Sequence, residues 1–397
     1  MERANRVGVE TATWSPWSKI MNKTHGGNIW KIAKENGLRP ADIIDFSASI
    51  NPLGPSPRAM DAIKTLNRSG SGKSSATLLC HYPEPQAESM KSELALFHKL
   101  PEENILAGNG STQFIYLIPQ VLKPKSALII EPAFSEYRNS LIANHCTVDE
   151  IVLREEDDFC LDRDRLFDAL KKGYDAEGSA YDILYLGNPA NPTGVMTDKR
   201  AIIDIATECK KYGTFLVVDE AFIDFVEEYS VKAEAVLMDN LIVLRSMTKF
   251  FAMPGLRLGY IIAHKNIIKQ FEKFVPPWSV NTLAIVAGIE SLRDKDYIRM
   301  TRERLMSEAA SFKEGFRTMP YFKAYPSPVN YFLVKILLEG VTASALREEL
   351  LNEGVIIRDC STFIGLGSTF FRAAIRNEKE NQYLIYCINK MLINLKK

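Results

Sequence analysis

The central part of the chain alternates short apolar runs with longer stretches of helical periodicity. The apolar runs lie at 126–130, 181–186, 214–218, 241–244 and 259–263. Between them, residues 112–122 and 198–212 repeat apolar side chains at the spacing of one helix face. Short, almost continuously apolar strands that alternate with helices are typical of a mostly parallel sheet buried on both faces. This part of the chain is therefore predicted to form an α/β domain.

The pattern changes near residue 296. A long amphipathic helix is predicted over 299–319, followed by strands at 330–336, 354–359 and 370–376 and by helices at 342–353 and 378–395. This mixture is typical of a smaller α+β domain, which we expect residues near the N-terminus to complete. The predicted organisation is an N-terminal extension at 1–22, a segment at 23–60 that joins the small domain, a large domain at 61–295 and a small domain at 296–397.

Composition and charge narrow the functional classes. The 397 residues include 49 Lys+Arg and 49 Asp+Glu, so a formal net charge of zero favours neither nucleic acid nor an anionic membrane as a partner. No apolar run approaches the length of a membrane span, and residues 1–22 lack the apolar core of a secretory signal. The six cysteines show no C-x-x-C spacing, which indicates reduced thiols rather than a metal or redox motif. We therefore expect a cytoplasmic protein without a metal.

Polar and aromatic side chains follow four of the apolar runs. They are Phe134 after 126–130, Asn188 and Asn191 after 181–186, Asp219 after 214–218, and Ser246 and Lys249 after 241–244. In an open α/β sheet, ligands bind beyond the carboxyl ends of the strands. Each of these residues alone also has a purely structural explanation. Asp219 could cap a helix, Asn191 could belong to a turn and Lys249 could be an ordinary surface lysine. Their coincidence at successive strand ends favours a binding site.

Pyridoxal phosphate requires this set of groups. Its aldehyde forms a Schiff base with a lysine amine, its pyridine nitrogen stays protonated beside a carboxylate, and its ring packs on an aromatic face. An amide can donate to its phenolate oxygen. The stretch 108–122 begins with glycines, Ser111 and Thr112 and continues as a helix, which suits a phosphate. Ser246 and Arg257 can add a hydroxyl and a bidentate guanidinium.

Together, Asn191-Pro192-x-Gly194, Asp219 and Ser246-x-x-Lys249 with Arg257 resemble the aspartate aminotransferase superfamily of fold type I, over about residues 25–395. The resemblance implies a three-layer large domain that binds pyridoxal 5′-phosphate, a smaller α+β domain and a homodimer. It implies Lys249 as the Schiff-base lysine, Asp219 at the ring nitrogen, Asn191 at the phenolate oxygen, Phe134 on the ring, and Gly110, Ser111, Thr112, Ser246 and Arg257 around the phosphate. It further implies that Tyr82 reaches the cofactor of the neighbouring subunit and that Arg372 binds the substrate carboxylate.

Two branches of the superfamily are similar to this chain, the threonine-phosphate decarboxylases and the histidinol-phosphate aminotransferases. The stretches 25–37, 45–57, 219–225, 249–260 and 357–366 resemble the decarboxylases more closely. Phe222 fits the same branch, because many other relatives carry a tyrosine there. The resemblance implies decarboxylation of L-threonine O-3-phosphate to (R)-1-amino-2-propanol phosphate for cobalamin biosynthesis, with aminotransfer as the alternative.

A substrate with a phosphate and a carboxylate requires at least two cationic groups. The candidate cations are His25, Arg358, Arg372 and Arg376, and the candidate neutral donors are Asn28, Asn51 and Asn330. For His25, a structural role and a binding role are equally compatible with the sequence.

Three other interpretations fit less well. The stretch 67–78 contains Gly-Ser-Gly-Lys, but it lacks the first glycine of a phosphate-binding P-loop and is predicted to be a flexible loop. A nicotinamide-dependent enzyme would need G-x-G-x-x-G between its first strand and helix, and 365–370 comes too late for that. A non-catalytic module with this fold would be expected to lose Lys249 or Asp219.

Overall fold

The structure of the protein is a computed structural model that describes residues 25–66, 80–177 and 181–395. The predicted N-terminal extension at 1–22 and the predicted loop at 67–78 lie outside the described residues. The strands are β1 (Ile44–Asp45), β2 (Ile105–Gly108), β3 (Ser126–Glu131), β4 (Thr147–Val152), β5 (Ile183–Gly187), β6 (Phe215–Asp219), β7 (Leu241–Ser246), β8 (Gly259–Ala263), β9 (Phe322–Ala324), β10 (Tyr331–Ile336), β11 (Val355–Ile356), β12 (Arg358–Asp359) and β13 (Phe370–Ala374).

The helices surround these strands. They are α1 (Ile29–Glu35), α2 (Pro57–Leu66), α3 (Glu88–His98), α4 (Ser111–Leu122), α5 (Glu136–Ala143), α6 (Arg163–Glu177), α7 (Lys199–Lys211), α8 (Lys232–Ala235), α9 (Lys265–Glu272), α10 (Thr282–Arg293), α11 (Lys295–Arg317), α12 (Ala343–Asn352) and α13 (Glu378–Leu395). Short 3-10 turns lie at Pro40–Asp42, Glu102–Asn104, Glu155–Asp157 and Ile223–Tyr229. Within the described ranges, no helix has both the length and the apolarity needed to cross a membrane.

A seven-stranded sheet in the order β2-β8-β7-β6-β5-β3-β4 forms the centre of the molecule. The pairs β3·β4, β3·β5, β5·β6 and β6·β7 are parallel, and β8 runs antiparallel to both its neighbours. Side chains of one strand point alternately to the two faces, so Leu216 and Val218 belong to one apolar core and Val217 to the other. The predicted α/β domain with a mostly parallel sheet between two layers is confirmed.

A second, antiparallel sheet in the order β12-β13-β10-β9 lies in the C-terminal part. Helix α11 packs on this sheet, where Phe312 contacts Phe332 and Phe316 contacts Phe371, both at 6.2 Å between ring centroids. Strand β1 pairs in parallel with β11, so the N-terminal segment joins the C-terminal part. The stretch 354–359 is not one strand as predicted, because β11 pairs with β1 and β12 pairs with β13. The division into domains at residues 60 and 295 stays a prediction.

Candidate active site

The carboxyl ends of β3, β5, β6 and β7 meet at one edge of the large sheet, because these strands are parallel. A cavity of about 240 Å³ opens there. The predicted residues that line it are His25, Ser111, Thr112, Phe134, Asn191, Asp219, Ser246, Lys249, Arg257, Arg358 and Arg372. The strand-end pattern in the sequence thus corresponds to one common site in the structure.

Asp219 is the last residue of β6 and is only 8% exposed. Its Oδ2 accepts a hydrogen bond of 2.6 Å from the hydroxyl of Tyr137, and its Oδ1 accepts one of 2.9 Å from the backbone N–H of Ala221. Burial raises the pKa of Asp219, and the two hydrogen bonds and the charge of Lys249 oppose that rise. A cationic ring nitrogen beside Asp219 would favour its charged form in the same way. Sequence reasoning missed Tyr137, which lies three residues after Phe134.

Lys249 follows the end of β7 and lines the cavity. Burial, together with the charges of Arg372 and Arg257, lowers the pKa of its amine from 10.5 to about 8. Asp219 acts in the opposite direction. A larger share of this amine is therefore neutral near pH 7 than for a surface lysine, and only the neutral amine can attack a carbonyl.

The first turn of α4 forms a cradle for an anion. Gly110 precedes the helix with φ +78°, and a Cβ added there would lie 2.8 Å from Nη2 of Arg257, so a larger residue would displace that guanidinium. Ser111 and Thr112 open the helix, whose free backbone N–H groups favour a phosphate. The hydroxyls of Ser246 and Thr248 lie 2.7 Å apart, and both residues line the cavity. Thr248 was not predicted from the sequence.

Two arginines of the small antiparallel sheet face the same cavity. Arg372 donates to the side-chain oxygen of Asn191 and, at 2.8 Å, to the backbone carbonyl of Ser47. Its Nε is buried and has no hydrogen-bond partner in the part of the chain that the structure describes. Arg358 lies over the ring of Phe363, 5.3 Å from its centroid. Burial lowers the pKa of both guanidinium groups, so an anionic ligand would relieve a desolvated positive charge.

Four predicted substrate residues do not line this cavity, namely Asn28, Asn51, Asn330 and Arg376. The amide of Asn51 donates to a backbone carbonyl after β7 and to two hydroxyls of α11. Arg376 pairs with Glu380 at 2.9 Å. Asn28 is exposed before α1, and Asn330 is fully buried before β10. Contact of these four residues with the substrate stays a prediction.

Tyr82 also lies away from the cavity of its own chain. It is 80% exposed, and its ring stacks on Trp278 with 4.7 Å between centroids. Its predicted contact with the cofactor of a neighbouring subunit stays a prediction.

The donor set at the cavity fits pyridoxal phosphate. The buried carboxylate of Asp219 suits the pyridine nitrogen, Phe134 offers an aromatic face and Asn191 offers an amide. The cradle at Gly110 and the guanidinium of Arg257 suit the phosphate. Phe222 also lines the cavity and places an apolar ring there.

Comparisons with known proteins agree with this site. Residues 41–388 match the model of the family "Aminotransferase class I and II". The chain is 35% identical to threonine-phosphate decarboxylase of Salmonella typhimurium over 383 residues. This alignment covers 95% of this chain and 98% of the relative. The crystal structure of histidinol-phosphate aminotransferase from Clostridium acetobutylicum matches with a TM-score of 0.78 and 28% identity, over 88% of this chain and 99% of that one. The crystal structure of L-threonine-O-3-phosphate decarboxylase from Porphyromonas gingivalis matches with a TM-score of 0.74 and 26% identity, over 87% of this chain and 98% of that one. The chain therefore belongs to the aminotransferase class I and II family, whose cofactor is pyridoxal 5′-phosphate.

Proposed function

We propose that the protein decarboxylates L-threonine O-3-phosphate to (R)-1-amino-2-propanol phosphate and CO2, a reaction of cobalamin biosynthesis. The observation that carries the proposal is the surplus of positive charge in the cavity beyond what the cofactor requires. Besides Arg257, which suits the cofactor phosphate, the guanidinium groups of Arg358 and Arg372 and the imidazole of His25 line the cavity. A phosphorylated amino acid supplies the two separate anionic groups that these residues match. The similarity to the Salmonella decarboxylase supports the same substrate.

When bound, pyridoxal phosphate acts as a sink for the electron pair released at the substrate Cα. Asp219 would keep the ring nitrogen of the bound cofactor protonated, and the hydroxyl of Tyr137 holds Asp219 in place. Lys249 would hold the cofactor aldehyde until the substrate amine takes its place, and its freed Nζ could then donate to Cα the proton that replaces the departing carboxylate. The pKa of about 8 suits this exchange, because both protonation states are populated near neutral pH.

The anion-binding side chains decide which bond at Cα breaks. The bound cofactor would favour cleavage of the Cα bond perpendicular to its ring, so the side chains that orient the substrate would select the reaction. Hydrogen bonds to Asn191 and to the carbonyl of Ser47 hold the guanidinium of Arg372 in place. Arg372 is therefore a fixed partner for the substrate carboxylate. Arg358 and His25 then bind the phosphoryl group at the other end. Two fixed ends restrict rotation about the Cα bonds.

Aminotransfer of the histidinol-phosphate type is the second candidate. The structural similarity to the aminotransferase from Clostridium acetobutylicum favours it, and the same lysine, aspartate and phosphate cradle would serve both reactions. Histidinol phosphate carries a phosphate but no carboxylate, so its binding as amino donor would not require Arg372.

The experiment that separates the candidates uses O-phospho-L-threonine and the purified holoenzyme. We expect CO2 and an amino alcohol phosphate to form without any keto acid, and Lys249→Ala to abolish both. Absence of CO2, together with transfer of the amino group from histidinol phosphate to 2-oxoglutarate, would contradict the proposal and select the aminotransferase.

We further propose that the protein acts as a cytoplasmic homodimer. The exposed aromatic pair of Tyr82 and Trp278, 80% and 46% exposed, supports an interface at this surface, because exposed stacked aromatic rings are typical of protein contacts. Sedimentation analysis of the wild type and of Trp278→Asp tests the dimer. A dimeric wild type and a weakened variant are expected, and a monomeric wild type contradicts it.

A further inference from the structure

Glu136, the first residue of α5, holds a set of hydrogen bonds beside the cavity. Its Oε1 lies 2.9 Å from Nε2 of His25 and accepts from the side-chain amide of Asn139, also at 2.9 Å. Its Oε2 accepts from the hydroxyl of Tyr116 at 2.6 Å. The side chain of Glu136 is 13% exposed, so three donors fix a carboxylate that has little contact with solvent. Neither Glu136 nor its partners Tyr116 and Asn139 are assigned to the cofactor.

Glu136 is ionised at neutral pH. The hydrogen bond from His25 is the largest cause that lowers the pKa of Glu136 to about 2, and Tyr116 and Asn139 add to it against the effect of burial. Its place in the first turn of a helix also favours negative charge. An ionised carboxylate only accepts hydrogen bonds, so Nε2 of His25 must carry the hydrogen between them. The other ring nitrogen, Nδ1, is then left for a ligand.

The two glycines that follow His25 lie close to Ser47. A Cβ added to Gly26 would lie 2.2 Å from the carbonyl oxygen of Ser47, and the N–H of Gly27 donates to the hydroxyl of Ser47 at 2.9 Å. The same carbonyl of Ser47 accepts from Arg372. The imidazole lies 5.5 Å from the ring of Phe134, while its side chain remains 47% exposed. His25 therefore occupies a fixed position at the mouth of the cavity.

We propose that Glu136 is a positioning residue that acts through His25 on the phosphoryl group of the substrate. The proposal rests on the proposed function, because it assumes a phosphorylated amino acid in this cavity. With Nε2–H bound to Glu136, Nδ1 donates a hydrogen bond to a phosphate only when the ring carries both protons. Glu136 thus fixes the direction of the His25 ring, with Nδ1 left toward the phosphoryl group, without contacting the substrate.

The test compares two ligands that differ by the phosphate. The holoenzyme and its Glu136→Gln variant are titrated with O-phospho-L-threonine and with L-threonine, and the change in cofactor absorbance gives each dissociation constant. We expect the variant to bind O-phospho-L-threonine about tenfold more weakly and L-threonine within about twofold of wild type. In turnover, KM should rise by a similar factor, with kcat within about threefold. The matched control is Glu155→Gln, whose carboxylate accepts from the hydroxyl of Tyr325 at 2.6 Å and from Lys335 at 2.7 Å; none of these three residues lines the cavity.

A double-mutant cycle with His25 separates positioning from a general structural effect. His25→Asn leaves Glu136 intact and should show the same selective loss for the phosphorylated ligand. Adding Glu136→Gln to it should change the affinity by less than about twofold. Equal weakening for both ligands, or additive effects in the double variant, would overturn the role of Glu136. Failure of the wild type to release CO2 would instead overturn the proposed function, since the selective loss of affinity can be measured without turnover.

Discussion

Replacing Arg372 by methionine should raise the pKa of Lys249. The pKa of Lys249 is lowered from 10.5 to about 8, mainly by burial. The positive charges of Arg372 and then of Arg257 lower it further. The whole difference corresponds to about 3 kcal/mol. Burial and Arg257 remain in the variant, so the pKa should stay well below 10.5. A like charge in a partly desolvated site contributes on the order of 1–2 kcal/mol, which predicts a rise of about one pH unit.

The assay is the rate at which the cofactor-free protein takes up pyridoxal phosphate, followed by absorbance as a function of pH. The neutral amine reacts, so the wild-type rate should rise about tenfold per pH unit below an inflection near pH 8 and level off above it. The inflection of Arg372→Met should lie about one pH unit higher, with a similar plateau. Arg372→Lys keeps the positive charge and serves as the control, with an inflection close to that of the wild type. An unchanged or lower inflection in Arg372→Met, with the fold intact by circular dichroism, would refute the reasoning.

Three further changes test other parts of the structure. Tyr137→Phe removes the hydroxyl that donates to Asp219 and should weaken pyridoxal phosphate binding about tenfold in an absorbance titration. Tyr185→Phe is the control, because the buried hydroxyl of Tyr185 has no hydrogen-bond partner among the described residues. Phe222→Tyr places a donor beside the cofactor phenolate, so the pH midpoint of the cofactor absorbance should move to a lower value; a move upward would contradict this placement. Arg245→Met leaves three carboxylates without their buried cation and should lower the free energy of unfolding in urea by about 3–5 kcal/mol. A change below about 1 kcal/mol would show that these ion pairs do not stabilise the fold.

Most of the site could be predicted because its residues follow strands that are buried on both faces. The ends of β3, β5, β6 and β7 lie within two residues of the apolar runs, and the parallel pairing brings their carboxyl ends together. Strand β4 was missed because it is an edge strand with mostly exposed or half-exposed side chains, so it carries no continuous apolar run. Strand β2 is only four residues long, too short to give a clear pattern.

The side-chain partners could not be predicted in the same way. Tyr137 and Glu136 act through hydrogen bonds to Asp219 and His25, which are distant in sequence, so their roles depend on how α5 packs beside β6 and the N-terminal segment. The amide of Asn51 points to α11 rather than to the cavity for a similar reason. The direction of a side chain is a property of tertiary packing, which strand and helix patterns do not contain.

The central claim is that Lys249 holds the cofactor aldehyde. Reduction of the holoenzyme with borohydride, followed by proteolysis and mass spectrometry, tests it most directly. The account predicts a single pyridoxyl-phosphate adduct, on the peptide that contains Lys249, and its loss in Lys249→Ala. A holoenzyme without a yellow chromophore, or an adduct on a different lysine, would contradict it.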